Sequence, residues 1–177
     1  MRLPFRLPLF APAGLAVALF LAGCSSDNMG EQPAFYTNLA QTGKPVDAAA
    51  AAAMLSEYRI GRGLSPVTLD PALNQIAQQQ ANAMAKADKL SHEVGGRNFI
   101  TRMKASGYNA RAAVENVGAG YHTLAEAFSG WRDSPSHNKN MLAPGMTRMG
   151  IATANAPRSK YKVYWALVLA EPDEAPR

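Results

Sequence analysis

The chain has 177 residues, of which 47% are hydrophobic, with 18 lysine and arginine residues against 13 aspartate and glutamate residues. This length suits one domain behind an export signal, and a net charge of +5 without a concentrated basic run excludes a nucleic-acid-binding surface. A single cysteine excludes an internal disulfide, so packing must stabilise the fold.

The first residues have the pattern of an export signal. Arg2 and Arg6 precede the apolar run LFAPAGLAVALFLAG, which ends before Cys24. The run has about 15 residues, fewer than the roughly 18 to 20 that a membrane span needs, and Pro12 interrupts it. We therefore predict a signal peptide over residues 1–23 and an exported mature chain of 154 residues with a net charge of +3.

The end of this signal, LAGC, resembles a bacterial lipobox, in which the cysteine becomes the first mature residue and carries acyl chains. An exported chain with one unpaired thiol otherwise lacks an explanation. The resemblance implies a lipid anchor at Cys24. Ser25 stands where a retention aspartate would, which favours the periplasmic side of the outer membrane if the host has two membranes. The alternative is plain secretion with a free thiol.

Residues 24–46 mix Ser, Asn, Gly, Gln and Pro without a sustained period, which predicts a linker from the lipid to the domain. The domain is predicted to begin at Asp47. This residue is a plausible N-cap for an alanine-rich helix that ends near Gly61 or Gly63.

A second helix is predicted from Asp70, with Pro71 at its first position, to about Lys89. Its apolar residues recur at three- and four-residue spacings, so the helix packs on one side only. These residues are Leu73, Ile76, Ala77, Ala81 and Met84. A third, short helix is predicted over residues 97–106.

The following segments alternate between strand and helix patterns. AAVENVGAG reads as a strand in which the glycines allow another backbone to come close. Thr123 and Glu126 form a capping box for a helix through Trp131, and the stretch SPSHNKNML contains a further short helix. MTRMGIATA and YKVYWALVLA are rich in branched and aromatic residues and predict two more strands.

The last predicted strand is apolar on both faces. One face carries Tyr161, Val163, Trp165, Leu167 and Leu169, and the other carries Tyr164, Ala166 and Val168. A strand that is apolar on both faces is covered on both faces. The sequence therefore predicts an α/β fold with helices on both sides of a central sheet, as three layers.

Three polar residues stand next to turns or element ends in separate segments: His92 in LSHE, Glu115 in VENVGAG and His137 in SPSHNKNML. A scaffold presents functional side chains at such positions. Two imidazoles and a carboxylate suit a borderline divalent cation with open positions filled by water. The alternative is that the histidines hydrogen-bond Glu115 and a backbone carbonyl and only hold loops together.

The order of these motifs resembles the CAP superfamily (cysteine-rich secretory proteins, antigen 5 and group-one pathogenesis-related proteins) in its bacterial SCP-like branch. The resemblance runs from EYRIGRGLSPVTLDPALNQIAQQQANAMA through VENVGAG and SPSHNKNMLAPGMTRMGIA to YKVYWALVLA. It implies an α-β-α sandwich around a largely antiparallel sheet over residues 47–171, with an acidic, proline-containing tail at residues 172–177.

The same resemblance implies a cleft that contains His92, Glu115 and His137 and holds zinc or magnesium. A fourth acidic residue is expected after Trp131, where Asp133 is the nearest candidate and Glu126 the next. Among the aromatic residues, we expect Tyr121 at the ligand, although core packing is its commoner fate.

Two other catalytic motifs fail. HEVGG begins like the zinc-protease motif H-E-x-x-H, but Gly96 replaces the second histidine. Ser91, Ser134 and Ser136 neighbour histidines in sequence, yet none lies in a G-x-S-x-G elbow.

The function we predict is an envelope-anchored, non-catalytic binding module. Its partners are the membrane, through the lipid on Cys24, and a lipid, sterol-like or peptidoglycan-associated ligand, but no nucleic acid. The alternatives are a metal-dependent hydrolase, directed at protein or peptidoglycan, and a purely structural envelope protein.

Overall fold

The fold is described by a computed structural model over residues 33–173, and its centre is a four-stranded sheet in the order β1-β3-β4-β2. The strands are β1 (Thr68–Leu69), β2 (Ala110–Ala119), β3 (Arg148–Ala156) and β4 (Lys162–Pro172). The two-residue β1 pairs in parallel with β3, whereas β4 pairs antiparallel with both β3 and β2. The largely antiparallel sheet predicted from the sequence is confirmed.

Six α-helices surround the sheet in the described chain: α1 (Leu39–Thr42), α2 (Ala48–Ile60), α3 (Pro71–Ala87), α4 (Phe99–Ser106), α5 (Leu124–Asp133) and α6 (Pro135–Met141). The predicted start signals hold, because Asp47 caps α2, Asp70 caps α3 ahead of Pro71, and Thr123 and Glu126 form the capping box of α5. Local chemistry therefore sets where these helices begin.

The sheet separates two apolar clusters, which confirms the three layers. One cluster joins the α2, α5 and α6 side to one face of β4, and contains Leu55, Leu124, Trp131, Met141, Trp165 and Leu167. The other joins the α3 and α4 side to the opposite face, and contains Leu73, Ile76, Met84, Met103, Tyr164 and Val168.

Contact between α3 and the sheet depends on a glycine. A Cβ atom at Gly150 of β3 would collide with backbone atoms of Leu73 and Asn74 in the first turn of α3. The helix can therefore lie directly on the strand, where Asn74 Oδ1 accepts a hydrogen bond from the Ile151 amide at 3.1 Å.

The start of β4 departs from the predicted alternation. Tyr161 packs with the cluster of Tyr164, not with that of Val163, because β4 begins only at Lys162 and this residue has a φ of +64°. Strand alternation does not continue through a residue in that conformation. From Val163 onward the predicted faces are correct.

The predicted linker is too long at its C-terminal end. A 3₁₀ turn (Ala34–Tyr36) and α1 precede Asp47, and the side chains of Leu39 and Val46 are buried in the core. The Leu39 amide also donates to the carbonyl of His122 at 2.8 Å. Two apolar residues in a polar stretch give no periodic signal, which is why the pattern reads as a linker.

Several predictions fall outside the described residues. These are the signal peptide at residues 1–23, the lipid anchor at Cys24, the linker up to residue 32 and residues 174–177 of the predicted tail. The predicted start of the tail at residue 172 is wrong, because β4 continues to Pro172. Within residues 33–173, no helix is long and apolar enough to cross a membrane.

Candidate functional site

Strand β2 is an edge strand, and the predicted site lies where this strand becomes buried. Its first residues are exposed or half-buried, whereas residues 115–118 are buried. Successive side chains of a strand point to opposite faces. Accordingly, Glu115 contacts the layer of α3 and α4, and Asn116 contacts α6 in the other layer.

The Glu115 carboxylate is bound at both oxygens. Its Oε2 forms an ion pair with the Arg102 guanidinium of α4, and its Oε1 lies 2.9 Å from His92 Nδ1. The Glu115 and Arg102 side chains are 1% and 6% exposed, whereas the His92 side chain is 54% exposed. A buried ion pair therefore fixes one edge of an imidazole whose body reaches solvent.

Arg102 was not predicted as a site residue. Besides Glu115, it donates to the carbonyls of His92 and Arg97, at 2.9 and 3.0 Å, while its buried Nε has no hydrogen-bond partner. The available signal was its spacing, since Arg102 follows Phe99 by three residues on the inward face of α4. A cation on an inward helical face requires a buried partner.

His137 lies in the first turn of α6, which packs against β2. Its Nδ1 is 2.9 Å from Ser134 Oγ, and Ser134, although it precedes α6, makes no side-chain capping bond. The serine hydroxyl thus hydrogen-bonds the imidazole and does not cap the backbone amides at the start of α6. Burial, and secondarily the charge of His92, lower the pKa of His137, which favours a neutral ring.

A pair of asparagines joins α6 to β2 beneath this histidine. Asn116 Nδ2 donates to the His137 carbonyl at 3.0 Å. Asn140 Nδ2 donates to the Glu115 carbonyl at 3.1 Å and to Asn116 Oδ1 at 2.9 Å. The two asparagines therefore connect the strand of Glu115 to the helix of His137.

Arg59 fixes the far end of α6. This arginine of α2 is fully buried, and its guanidinium donates to the carbonyls of Met141, Ala143 and Met146 at 2.8 to 3.0 Å. Burial lowers its pKa. The chain that follows His137 is therefore held from the core.

The structure thus brings His92 into contact with Glu115, whereas His137 contacts Ser134. It does not give Glu115 a free oxygen. Among residues 33–173, no group of three or more His, Cys, Asp or Glu side chains is arranged to hold a metal ion.

The two acidic candidates for a fourth site residue have other hydrogen-bond partners. Asp133 has a side chain that is 67% exposed, and it pairs with the neighbouring Arg132 at 2.8 Å. Glu126 accepts hydrogen bonds from the amides of His122 and Thr123 in the capping box. Within residues 33–173, neither carboxylate is hydrogen-bonded to a site histidine. Proximity to Trp131 in sequence does not determine where a side chain on a helix surface points.

Tyr121 takes the packing role. Its ring lies over Gly118 of β2 and Gly130 of α5, where a Cβ atom on either glycine would press against it. The ring borders the α5-side core cluster, and the Tyr121 carbonyl accepts a hydrogen bond from Trp165 Nε1 at 2.8 Å. The structure places Tyr121 against the core.

The layer of α2 and α5 leaves little internal space. A cavity of about 10 Å³ is lined by apolar residues that include Leu55, Leu124, Phe128 and Met141. This space is smaller than any lipid chain. A lipid could enter there only if the two helices separated.

The fold is an α-β-α sandwich, and its edge strand carries a buried glutamate between two segments that each bear a histidine. This combination defines a class of extracellular-type domain. Residues 52–169 match the family model of CAP, the cysteine-rich secretory protein family. The match spans well over half of the chain, and the protein belongs to this family. The resemblance stated from its motifs is confirmed.

Comparisons with individual proteins agree. The chain is 30% identical over 92 residues to the uncharacterized protein YkwD of Bacillus subtilis, which covers 51% of this chain and 35% of YkwD. The chain therefore spans about a third of the length of that relative.

Solved structures show the same fold at low identity. An extracellular SCP-domain protein of Bacillus anthracis has a TM-score of 0.61 at 18% identity, with 70% of this chain and 39% of that protein covered. An outer surface protein of Borrelia burgdorferi also has a TM-score of 0.61, at 15% identity, with 69% and 90% covered.

Proposed function

We propose that this CAP domain is a non-catalytic binding module of the cell envelope, and that His92 and His137 are its ligand-contacting residues. The observation that carries the proposal is the way the two rings are held. Each Nδ1 lies 2.9 Å from an oxygen, of Glu115 or of Ser134, which leaves Nε2 of each ring for a ligand. Imidazoles fixed in this manner are typical of metal-binding histidines.

The side chains that could bind a metal differ from those predicted from the sequence. Glu115 is not suited to be a third ligand, because Arg102 and His92 already engage its oxygens and a guanidinium beside the carboxylate repels a cation. Its role is to orient His92. The two Nε2 atoms would hold the ion, and a bound zinc would supply a Lewis-acidic centre with open positions for a polar ligand.

The nature of the site favours a polar ligand over a lipid or sterol. His92 is half-exposed, and its neighbours are polar or charged groups. The apolar space between α2 and α5 is nearly filled. A peptidoglycan-associated ligand, with its carboxylates and amides, suits the site better than an acyl chain.

A hydrolase is the second candidate, and one contact favours it. The Ser134 hydroxyl lies within hydrogen-bond distance of His137, as a nucleophile and base would. However, the described hydrogen bonds show no carboxylate that orients the His137 ring, whereas the ring with a carboxylate, His92, has no hydroxyl partner. The binding role therefore ranks first.

Zinc titration by calorimetry tests the metal part of the proposal. We expect weak binding at pH 7.5 that is lost in His92→Ala and His137→Ala and retained in the matched control His122→Ala. Because the rings must be neutral to ligate, binding should weaken at pH 5.5. Glu115→Gln should reduce zinc affinity by roughly 10- to 100-fold, as changes to orienting groups do.

Other outcomes have definite meanings. If wild type and both site variants bind zinc identically, or none binds at millimolar zinc, the metal hypothesis is wrong. If His137→Ala and His92→Ala only lower the unfolding midpoint, the purely structural role is correct. If purified protein hydrolyses a peptide or peptidoglycan substrate and Ser134→Ala abolishes turnover without unfolding, the hydrolase replaces the binding module.

Membrane attachment is a separate part of the proposal. The sequence LAGC supports acylation of Cys24 and attachment of the domain to the outer membrane, on its periplasmic side, in a host with two membranes. Mass spectrometry of the membrane-fraction protein should detect lipid on a mature N-terminus at Cys24, and Cys24→Ser should release the protein from the membrane. A wild-type protein that is soluble with a free thiol would contradict this part.

A further inference from the structure

A second cavity, away from the residues of the histidine site, has a volume of about 720 Å³. It lies between the C-terminal end of α3, the turn from β3 to β4, and the segment of Gly43 and Pro45 that leads into α2. This volume is within the range of small-molecule binding pockets, about 300–1,000 Å³. The proposed function uses none of the residues that line it.

The cavity wall is polar and carries unpaired positive charge. Lys86 and Arg158 line the cavity, and neither forms a salt bridge within the described chain. Asp88 also lines it, but its Oδ1 accepts hydrogen bonds from Ser159 and Tyr164, both at 2.5 Å. The hydrogen bonds from Ser159 and Tyr164, and then the charge of Lys160, lower the pKa of Asp88.

Asn155 contributes an unused hydrogen-bond acceptor. Its Nδ2 donates to the Gly43 carbonyl at 3.0 Å, which fixes the orientation of the amide. Its Oδ1 is buried and has no partner. A buried acceptor without a partner is unfavourable, and a ligand that displaces the groups covering Oδ1 and donates an O–H or N–H group would satisfy it.

We propose that this cavity is a second binding site, for a small organic anion that also carries hydroxyl or amide donors, such as a phosphorylated sugar. Lys86 and Arg158 bind the anionic group, because charge-assisted hydrogen bonds to phosphate or carboxylate are the stronger kind. Asn155 accepts a hydrogen bond from a hydroxyl or amide of the same ligand. Lys86 lies in the last turn of α3, Asn155 lies near the end of β3, and Arg158 lies in the turn between β3 and β4.

Calorimetric titration of the full chain at low salt tests the proposal with glucose 6-phosphate, which combines an anion with hydroxyl donors. The double variant Lys86→Gln/Arg158→Gln should lower affinity at least tenfold. Lys104→Gln, which removes an exposed cation of α4 outside the cavity, should leave affinity within twofold. Uncharged glucose should bind at least tenfold more weakly than glucose 6-phosphate.

The hydrogen-bond donor requirement has its own matched pair of probes. At pH 6, inorganic phosphate carries protons that it can donate, whereas sulfate of the same shape carries none. Phosphate should bind more tightly despite its lower charge.

The proposal is overturned if glucose 6-phosphate does not bind at 10 mM, if the double variant binds it as wild type does, or if sulfate binds as tightly as phosphate. Zinc binding and the histidine variants do not enter these measurements, so this site and the histidine site can fail separately.

Discussion

Strands β4 and β2 are neighbours in one sheet, yet their buried residues serve different purposes. From Val163 to Ala170, every residue of β4 is buried and apolar, and the two faces feed the two core clusters. Strand β2 buries Glu115 towards one layer and Asn116 towards the other, and each polar side chain has fixed partners.

This difference shows which strand stabilises the fold and which strand positions the polar groups of the candidate site. Burial of apolar area stabilises the centre of the sheet, whereas a buried polar group contributes little unless all of its hydrogen bonds are made. The edge strand can carry such groups because α4 and α6 approach it from both faces with matching donors. His137 lies on α6, and His92 lies in the loop before α4, where Arg102 donates to its carbonyl.

The largest effect should come from the centre. Trp165→Ala should lower the free energy of unfolding by about 3–5 kcal/mol, because it opens a cavity between β4 and Trp131. Denaturant unfolding measures the loss. Ile100→Ala, at a side chain that is 64% exposed, should change stability by less than about 0.5 kcal/mol. A loss below about 1 kcal/mol at Trp165 would mean that β4 does not carry the core.

The second-largest loss of stability should come from the buried ion pair on the edge strand. Arg102→Met should cost about 3 kcal/mol, near the lower end of the range for removal of one partner of a buried pair, because Arg102 already has one unsatisfied nitrogen. The same change in a Glu115→Gln background should cost less, since no buried carboxylate charge is then left unpaired. Equal costs in both backgrounds would show that the pair is not coupled.

Loss of the asparagine link should have a moderate effect. Asn140→Ala removes two donors and leaves the buried Asn116 amide oxygen unpaired, at a cost of about 1–3 kcal/mol. It should also reduce zinc binding, since α6 would no longer be held to β2. Lys139→Ala, one residue earlier on α6 and exposed, is the control. An Asn140→Ala protein with unchanged stability would contradict the proposed link.

The smallest effect is a pH dependence. Because burial lowers the pKa of His137 in the folded protein, the unfolded chain takes up a proton first as the pH falls. The contribution of His137 to stability is present at pH 7.5 and decreases below the ordinary histidine value near 6.5. His137→Gln should show a smaller loss of stability between pH 7.5 and 5.5 than wild type. Parallel curves would exclude burial of a neutral His137.

Sequence patterns predicted the parts of the fold that local chemistry controls. Asp47, Asp70 and Thr123 cap the helices as predicted, since an N-cap needs only a side chain and the amides two or three residues ahead. The two apolar faces of β4 predicted its central position. The pattern failed at Tyr161 and over residues 33–46, where a single φ value and two buried side chains decide the structure.

The candidate site, like the fold, has features that the sequence predicts and features that it does not. The sequence by itself singled out His92, Glu115 and His137, and its motifs pointed to the CAP family, because residue type and order are properties of the chain. The expectation that all three stand next to turns or element ends is wrong for Glu115, which lies in the middle of β2. Only the tertiary structure decided that Arg102 occupies the Glu115 carboxylate and that Asp133 faces solvent. Such pairings depend on the direction of each side chain after helices and strands have packed, and no spacing along the chain encodes that direction.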